Sequence, residues 1–140
     1  MRPPTYIGIM GAMAILLTGC GNRGEAYCWQ PLEVTVSAFN SVSWQTDSLH
    51  NIAAWGDTLQ PGMKCIAVSR DLIARGIGYN TPVKIEGMPG MYLVKDKMHN
   101  RWRNKVDIYM GKDVKAAREF GRKKLRIRYP VKKDSTQPVP

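Results

Sequence analysis

The sequence predicts a mainly β protein, a small closed barrel of six short strands with one short helix, and three observations carry that expectation. Six apolar or alternating runs are short and mostly separated by glycine and proline turns. Only residues 113–120 show helix start and stop signals around an apolar side. So few short strands would leave two unprotected edges in an open sheet, and closure removes them. A small α+β sandwich is the alternative built from the same elements.

The N-terminus reads as an export signal, not as part of the fold. An uncharged apolar run of 11 residues, 7–17, follows Arg2. It has the length of a signal-peptide core and is well short of the roughly 20 residues needed to span a bilayer as a helix. The run closes on Leu17-Thr18-Gly19-Cys20, which resembles the lipidation site of bacterial lipoprotein signals. That resemblance implies a signal peptide over residues 1–19, lipidation of Cys20, and a tether over 20–31. It also implies a membrane partner reached through Cys20. In a host with two membranes, Gly21 after the cysteine points to the outer membrane, facing the periplasm.

The folded domain is expected over residues 32–130. Its first strand is 32–39, where Val34, Val36 and Ala38 alternate with Thr35 and Ser37. Residues 41–62 are polar and turn-rich around isolated tryptophans, and read as a long ordered loop with a short helix near 52–55. Strands follow at 65–68, 83–86, 92–95, 106–110 and 125–129. In the helix, Asp113 is placed to cap the start and Gly121 to end it, with Val114, Ala116, Ala117 and Phe120 on the apolar side. Residues 131–140 are proline- and lysine-rich with little apolar content, and disorder is their default reading.

The chain has 21 basic and 11 acidic residues, a formal net charge of +10, and the signal removes only Arg2 from the basic set. For an exported protein the polyanions at hand are membrane surfaces and acidic envelope polymers, so no nucleic acid partner is expected. Cys28 and Cys65 stand in an oxidising compartment, either bridged by a disulfide or left as thiols. Three cysteines at 20, 28 and 65 with His50 and His99 do not make zinc spacing, and no G-x-G-x-x-G, Walker A or H-E-x-x-H pattern is present. No metal or cofactor is expected.

Val36-Ser37-Ala38-Phe39-Asn40, Ile66-Ala67-Val68, Thr81-Pro82-Val83-Lys84-Ile85, Lys95-Asp96 and Val106-Asp107-Ile108-Tyr109-Met110-Gly111 together carry a family pattern. Over residues 34–129 the chain resembles the three-aspartate (3D) domain, the double-psi β-barrel in the catalytic part of membrane-bound lytic transglycosylase A and related cell-wall proteins. The resemblance implies cleavage of the β-1,4 bond between N-acetylmuramic acid and N-acetylglucosamine, with a 1,6-anhydro end and no water consumed. Asp107 then matches the aspartate that serves as acid and afterwards as base, and Asp96 a second one lining the groove. The third commonly follows the strand directly, where this chain has Ser69, so Asp71 is its candidate replacement. After Asp96 the family usually has a glycine two residues on, where this chain has Met98.

Chemically, one carboxyl group suffices if it protonates the leaving oxygen and then takes the proton of the sugar's own C6 hydroxyl. Asp107 would start protonated if an apolar setting or the charge of Asp96 raised its pKa. The bland alternative is that both aspartates pair with Lys95, Lys97, Arg103 or Lys105. Sugar platforms are available in Trp44, Trp55, Trp102 and Tyr109, with Gln45, Thr46 and Asp47 as hydrogen-bonding partners from the loop. Arg101 and Arg103 flank Trp102 and suit substrate carboxylates. Peptidoglycan glycan strands are the expected partner, alongside a cell-wall protein partner if the lone domain needs one for activity.

Overall fold

The computed structural model describes residues 26–41 and 51–133. Six strands and two short helices follow in order: β1 (Tyr27–Phe39), β2 (Cys65–Val68), α1 (Arg70–Ala74), β3 (Pro82–Ile85), β4 (Tyr92–Lys97), β5 (Lys105–Tyr109), α2 (Val114–Phe120) and β6 (Lys123–Lys132). The strands close into a barrel in the order β1-β5-β2-β4-β3-β6. β1 runs parallel to β5 and β2 parallel to β4, and the other four pairings are antiparallel. Exchanging β1 with β4, β2 with β5 and β3 with β6 maps this order onto itself. The two halves of the chain thus interlock as equivalent units, the double-psi arrangement.

Alternation fills the interior. Val34 and Val36 of β1, Ile66 and Val68 of β2, Val83 and Ile85 of β3, Tyr92 and Val94 of β4, Val106 and Ile108 of β5, and Ile127 of β6 form one buried cluster. Leu72 from α1 and Ile77 after it join that cluster. Branched side chains dominate because their stiff rotamers pack well on a pleated, curved surface.

A second, smaller cluster lies outside the barrel. Ala53, Leu59, Cys65 and Tyr109 pack with Phe39 and Met63, so the 51–63 loop is fastened over the outer face of β1, β5 and β2. The Ser41 and Tyr109 hydroxyls hydrogen-bond at 2.7 Å beneath it. Gly111 adopts a φ of +57°, and a Cβ there would meet the Pro61 backbone at 3.2 Å, so only glycine lets the end of β5 pass this close to the loop.

Three features differ from the sequence expectation. β1 begins at Tyr27, so residues 27–31, read as tether, pair with β6 (Tyr27 opposite Lys132), and β6 extends through 131 and 132, read as tail. These ends lack strong alternation in sequence and gain order from each other. Residues 52–55 form no helix: Ile52 bridges Thr58 in a tight antiparallel turn, with Ala53 N–H donating to the Asp57 carbonyl at 2.8 Å. α1 was not anticipated, because five residues with one fully buried side chain, Leu72, give too short a period to read. Of the two states the sequence left open for Cys28 and Cys65, both are free thiols. The expected helix is present with its caps: the Asp113 side chain accepts from Ala116 N–H, and Gly121 ends it at φ +65°.

Ile127 is fully buried at the centre of the cluster. Ile127→Ala should lower the unfolding free energy by about 2–5 kcal/mol through lost burial and a residual cavity. Urea unfolding checks this, and a loss under about 1 kcal/mol would contradict a packed interior.

Candidate functional site

β2 lies between β4 and β5, and its register places the two expected aspartates on either side of one small residue. Ala67 pairs with Asp107 of β5 on one flank and with Asp96 of β4 on the other. Asp107 pairs in turn with Ser37 of β1, so Ser37, Asp107, Ala67 and Asp96 form one row across four strands. Two strand spacings separate the aspartate backbones, about 9.5 Å.

Alternation alone would not produce this row. Tyr92 and Val94 of β4 point into the barrel, so Asp96 would follow them inward. A register shift intervenes: Ile66 faces Val94 but Ala67 faces Asp96, leaving Lys95 as the extra residue. This bulge re-aims Asp96 to the outer face. Asp107 needs no such device, since its neighbours Val106 and Ile108 are buried inside and it falls on the opposite side of β5.

The result is a shallow trough of about 220 Å³, lined by Ala67, Asp96, Asp107, Phe39 and the 97–102 segment through Lys97, Met98, His99 and Trp102. Asp107 accepts a hydrogen bond from the Ser37 hydroxyl and lies 3.6 Å from the Lys105 ammonium. Both contacts fall on Oδ1. Lys105 is itself covered by the Trp102 ring, with Nζ 4.0 Å from the centroid, and Arg101 stacks on that ring at 5.0 Å. Asp96 Oδ1 accepts from the Ala54 N–H at 2.8 Å and from the Lys97 N–H at 2.9 Å. It therefore ties the 51–59 turn to the end of β4.

Not every sequence candidate gathers here. Asp71 is outside the trough, where its Oδ2 accepts from the Asn104 N–H at 2.9 Å and pins the β4–β5 connection. Ser69 is fully buried, and its hydroxyl accepts from Lys105 N–H at 2.9 Å. The pair thus anchors the trough's floor from below. Tyr109 is 4% exposed and belongs to the outer cluster, so it offers no platform. Trp55 packs against the barrel core and stacks at 5.3 Å on Tyr79, beside the trough and not in it. Arg103 is turned back on its own loop, donating to the carbonyls of Asn100 and Trp102. Trp44, Gln45, Thr46 and Asp47, and Cys20 with the signal, lie outside the described residues.

The sequence reading missed Ser37, Lys97 and His99 as trough residues, and named Lys105 only as an ion-pair partner. Ser37 stands one residue after an inward valine on an alternating strand, which is a readable signal. His99 sits in an irregular connection with no periodicity to place it. Met98, where the sequence resemblance led one to look for glycine, has its side chain buried and its N–H donating to the Val68 carbonyl at 2.9 Å. Its φ is not positive, so glycine is not required there.

A second polar cluster flanks the trough. The Tyr79 hydroxyl holds the Asp57 carboxyl below its ordinary 3.8, against the pull of burial, and Lys95 at 3.2 Å adds to the effect. Burial raises Asp71, but hydrogen bonds from the Ser69 hydroxyl and the Asn104 amide outweigh it and hold that carboxyl below 3.8 as well. Burial, then the charge of Asp96, pushes the Cys65 thiol up to about 11, so it is an inert packing residue at neutral pH.

Fold and trough define a small β-barrel protein bearing a carboxylate pair on its outer face. No protein-family model matches the chain, and no curated protein matches it either.

Lowered folded-state values for Asp57 and Asp71 mean that the stability they contribute is present above 3.8 and lost as pH falls through the folded values. Asp57→Asn and Asp71→Asn should each destabilise the protein at pH 7, with the gap to wild type closing below about pH 4. Urea unfolding across that range checks the sign. A gap that stays constant with pH would reject the assigned contacts.

Proposed function

We propose that the protein is a lipid-anchored lytic transglycosylase of the 3D-domain kind, cleaving the β-1,4 bond between N-acetylmuramic acid and N-acetylglucosamine in peptidoglycan. The observation that carries this reading is the placement of Asp107 and Asp96 on either side of Ala67 in one open trough, with Trp102 at its edge. The small Ala67 side chain leaves room for a sugar ring between the carboxyls.

In this reading Asp107 is the acid and base. Protonated Asp107 gives its proton to the glycosidic oxygen as the bond to C1 breaks. The resulting carboxylate then takes the proton of the C6 hydroxyl as O6 bonds to C1. Asp107 ends protonated, as it began, and no water enters the product. Ser37 and Lys105 fix the carboxyl through Oδ1. Asp96 is a positioning residue, because its Oδ1 holds the 51–59 turn and its charge faces the same trough. Trp102 offers a flat face to the sugar, and Arg101 lies where a substrate carboxylate would meet it.

A noncatalytic peptidoglycan-binding envelope lipoprotein is the second reading. It is favoured by the structural contacts that both aspartates already make and by Ser69 in place of a third aspartate. Product analysis by mass spectrometry separates the two. Wild-type protein should release anhydromuropeptides from sacculi without incorporating solvent oxygen. Asp107→Asn should keep the fold and glycan affinity while losing about 10² to 10⁴ in turnover. Equal rates from both proteins would reject Asp107 as the catalyst, and no products from either would favour the binding protein.

The anchor is tested apart from the enzymology. Several acyl chains on Cys20, each buried methylene contributing about 0.8 kcal/mol, would hold the barrel at a membrane surface. Cys20→Ala should abolish metabolic lipid labelling, and unchanged labelling would refute the site.

A further inference from the structure

The β3–β6 wall of the barrel has a different character from the face that carries the aspartates, and Tyr79 stands where the two meet. In the closed order, β3 stands across from β5, and β6 across from β2. Two depressions larger than the trough lie along β3 and β6. One, of about 640 Å³, is lined by Lys84, Arg126, Arg128 and Met91, with Glu86. The other, of about 630 Å³, is lined by Tyr27, Trp29, Tyr79, Val131 and Pro130, with Arg75 at its side.

Three observations join them into one track. Lys84 belongs to the first depression, and its ammonium lies 4.8 Å over the ring of Trp29 in the second. Lys84 and Arg128 are register partners across β3 and β6. Arg126, Arg128 and Pro130 recur at every second residue of β6, on the face opposite the buried Ile127. Among the described residues, seven large apolar side chains are exposed, and five of them, Tyr27, Trp29, Tyr79, Met91 and Val131, line these two depressions. An apolar cluster of that kind beside cations marks an interaction site more than chance exposure does. Glu86, whose carboxylate accepts the Arg126 backbone N–H at 3.1 Å, offsets one of the three cations of the first depression and leaves it positive.

We propose that this β3–β6 track is a second, noncatalytic binding site for an anionic oligosaccharide, holding a glycan strand while the aspartate face acts on another stretch or strand. The proposal rests on the peptidoglycan reading for its choice of polyanion. The track is concave, which suits a linear chain better than a bilayer surface. Tyr27 and Trp29 lie two residues apart on one strand, about 6.8 Å, and present flat amphipathic faces to successive sugars. Lys84, Arg126 and Arg128 face the carboxylates that such a polymer carries, and Lys84 is fixed by its contact with Trp29.

The test is calorimetric titration of the full-length Asp107→Asn protein in detergent, where turnover is removed and binding is left. The probes are a tetramer alternating N-acetylglucosamine and N-acetylmuramic acid, the neutral N-acetylglucosamine tetramer, and a thymidine oligonucleotide. Trp29→Ala should weaken the anionic tetramer by about tenfold or more, and Trp29→Phe, which keeps a flat ring, should retain most of the affinity. Arg128→Glu should weaken the anionic tetramer more than the neutral one. Affinity for the anionic tetramer unmoved by Trp29→Ala and Arg128→Glu in proteins of wild-type melting temperature would overturn the proposal. So would preferential binding of the oligonucleotide with the same sensitivity to both variants. Binding that depends on Trp29 and Arg128 in a protein whose wild type yields no anhydro products would sink the transglycosylase reading and sustain the track. Anhydro products with binding indifferent to both residues would do the reverse.

Discussion

The structure depends on β2 being held on both edges. Its four residues are all buried, with Ile66 and Val68 inside the barrel and Cys65 and Ala67 under the outer layer. β2 joins the parallel partner β4 to the antiparallel partner β5. A strand that short gains little from its own propensity, and its position comes from pairing on two sides and packing on two faces. The aspartate row exists because this strand fixes the register of its neighbours. A slip of one residue on either side would turn a carboxylate from the outer face toward the apolar interior.

Around that seam, polar contacts do structural and chemical tasks together. Asp96 fastens the 51–59 turn through the Ala54 N–H while the same oxygen accepts from its own neighbour Lys97, and that turn carries Ala53 and Leu59 into the outer cluster. Ser69 and Asp71 fasten the start of β5 and the connection before it, the segment that brings Trp102 over Lys105. Lys105 is buried between that ring and Asp107, an arrangement in which aromatic face and carboxylate both offset the cost of taking the ammonium out of water. The trough is shallow, yet its walls are tied to the barrel by hydrogen bonds on both sides, which limits how far a bound ligand could shift them.

The charge is also distributed with direction. β6 exposes Arg126 and Arg128 at alternate positions, while the carboxylate pair lies across the barrel. The basic excess is therefore not a uniformly solvated surface. Aromatic rings accompany the cations: Lys84 on Trp29, Lys95 on Tyr79, Lys97 on Trp55 and Lys105 on Trp102. Each contact holds a long side chain that would otherwise sample many rotamers.

The sequence by itself determined the six strands, the longer helix and the interior faces of the strands. Strict alternation in Val34-Thr35-Val36-Ser37 and Val106-Asp107-Ile108, punctuation at Gly76, Gly87 and Gly121, and the Asp113 cap are local signals, and a period of two fixes which side chains face inward. They gave six strands within a few residues of their observed bounds, and placed Asp107 opposite the apolar face. Tertiary structure alone decided what no local period encodes. The Lys95 bulge that turns Asp96 outward is a mismatch between two strands. The ordering of residues 27–31 and 131–132 comes from their pairing with each other, and the assignment of Tyr109 and Trp55 to packing comes from what covers them. Asp71 likewise reads in sequence as a candidate for the site, but its place in the first turn of α1 carries it to Asn104. Local sequence sets the faces of a strand, and the partners on those faces are chosen by register and closure across the whole barrel.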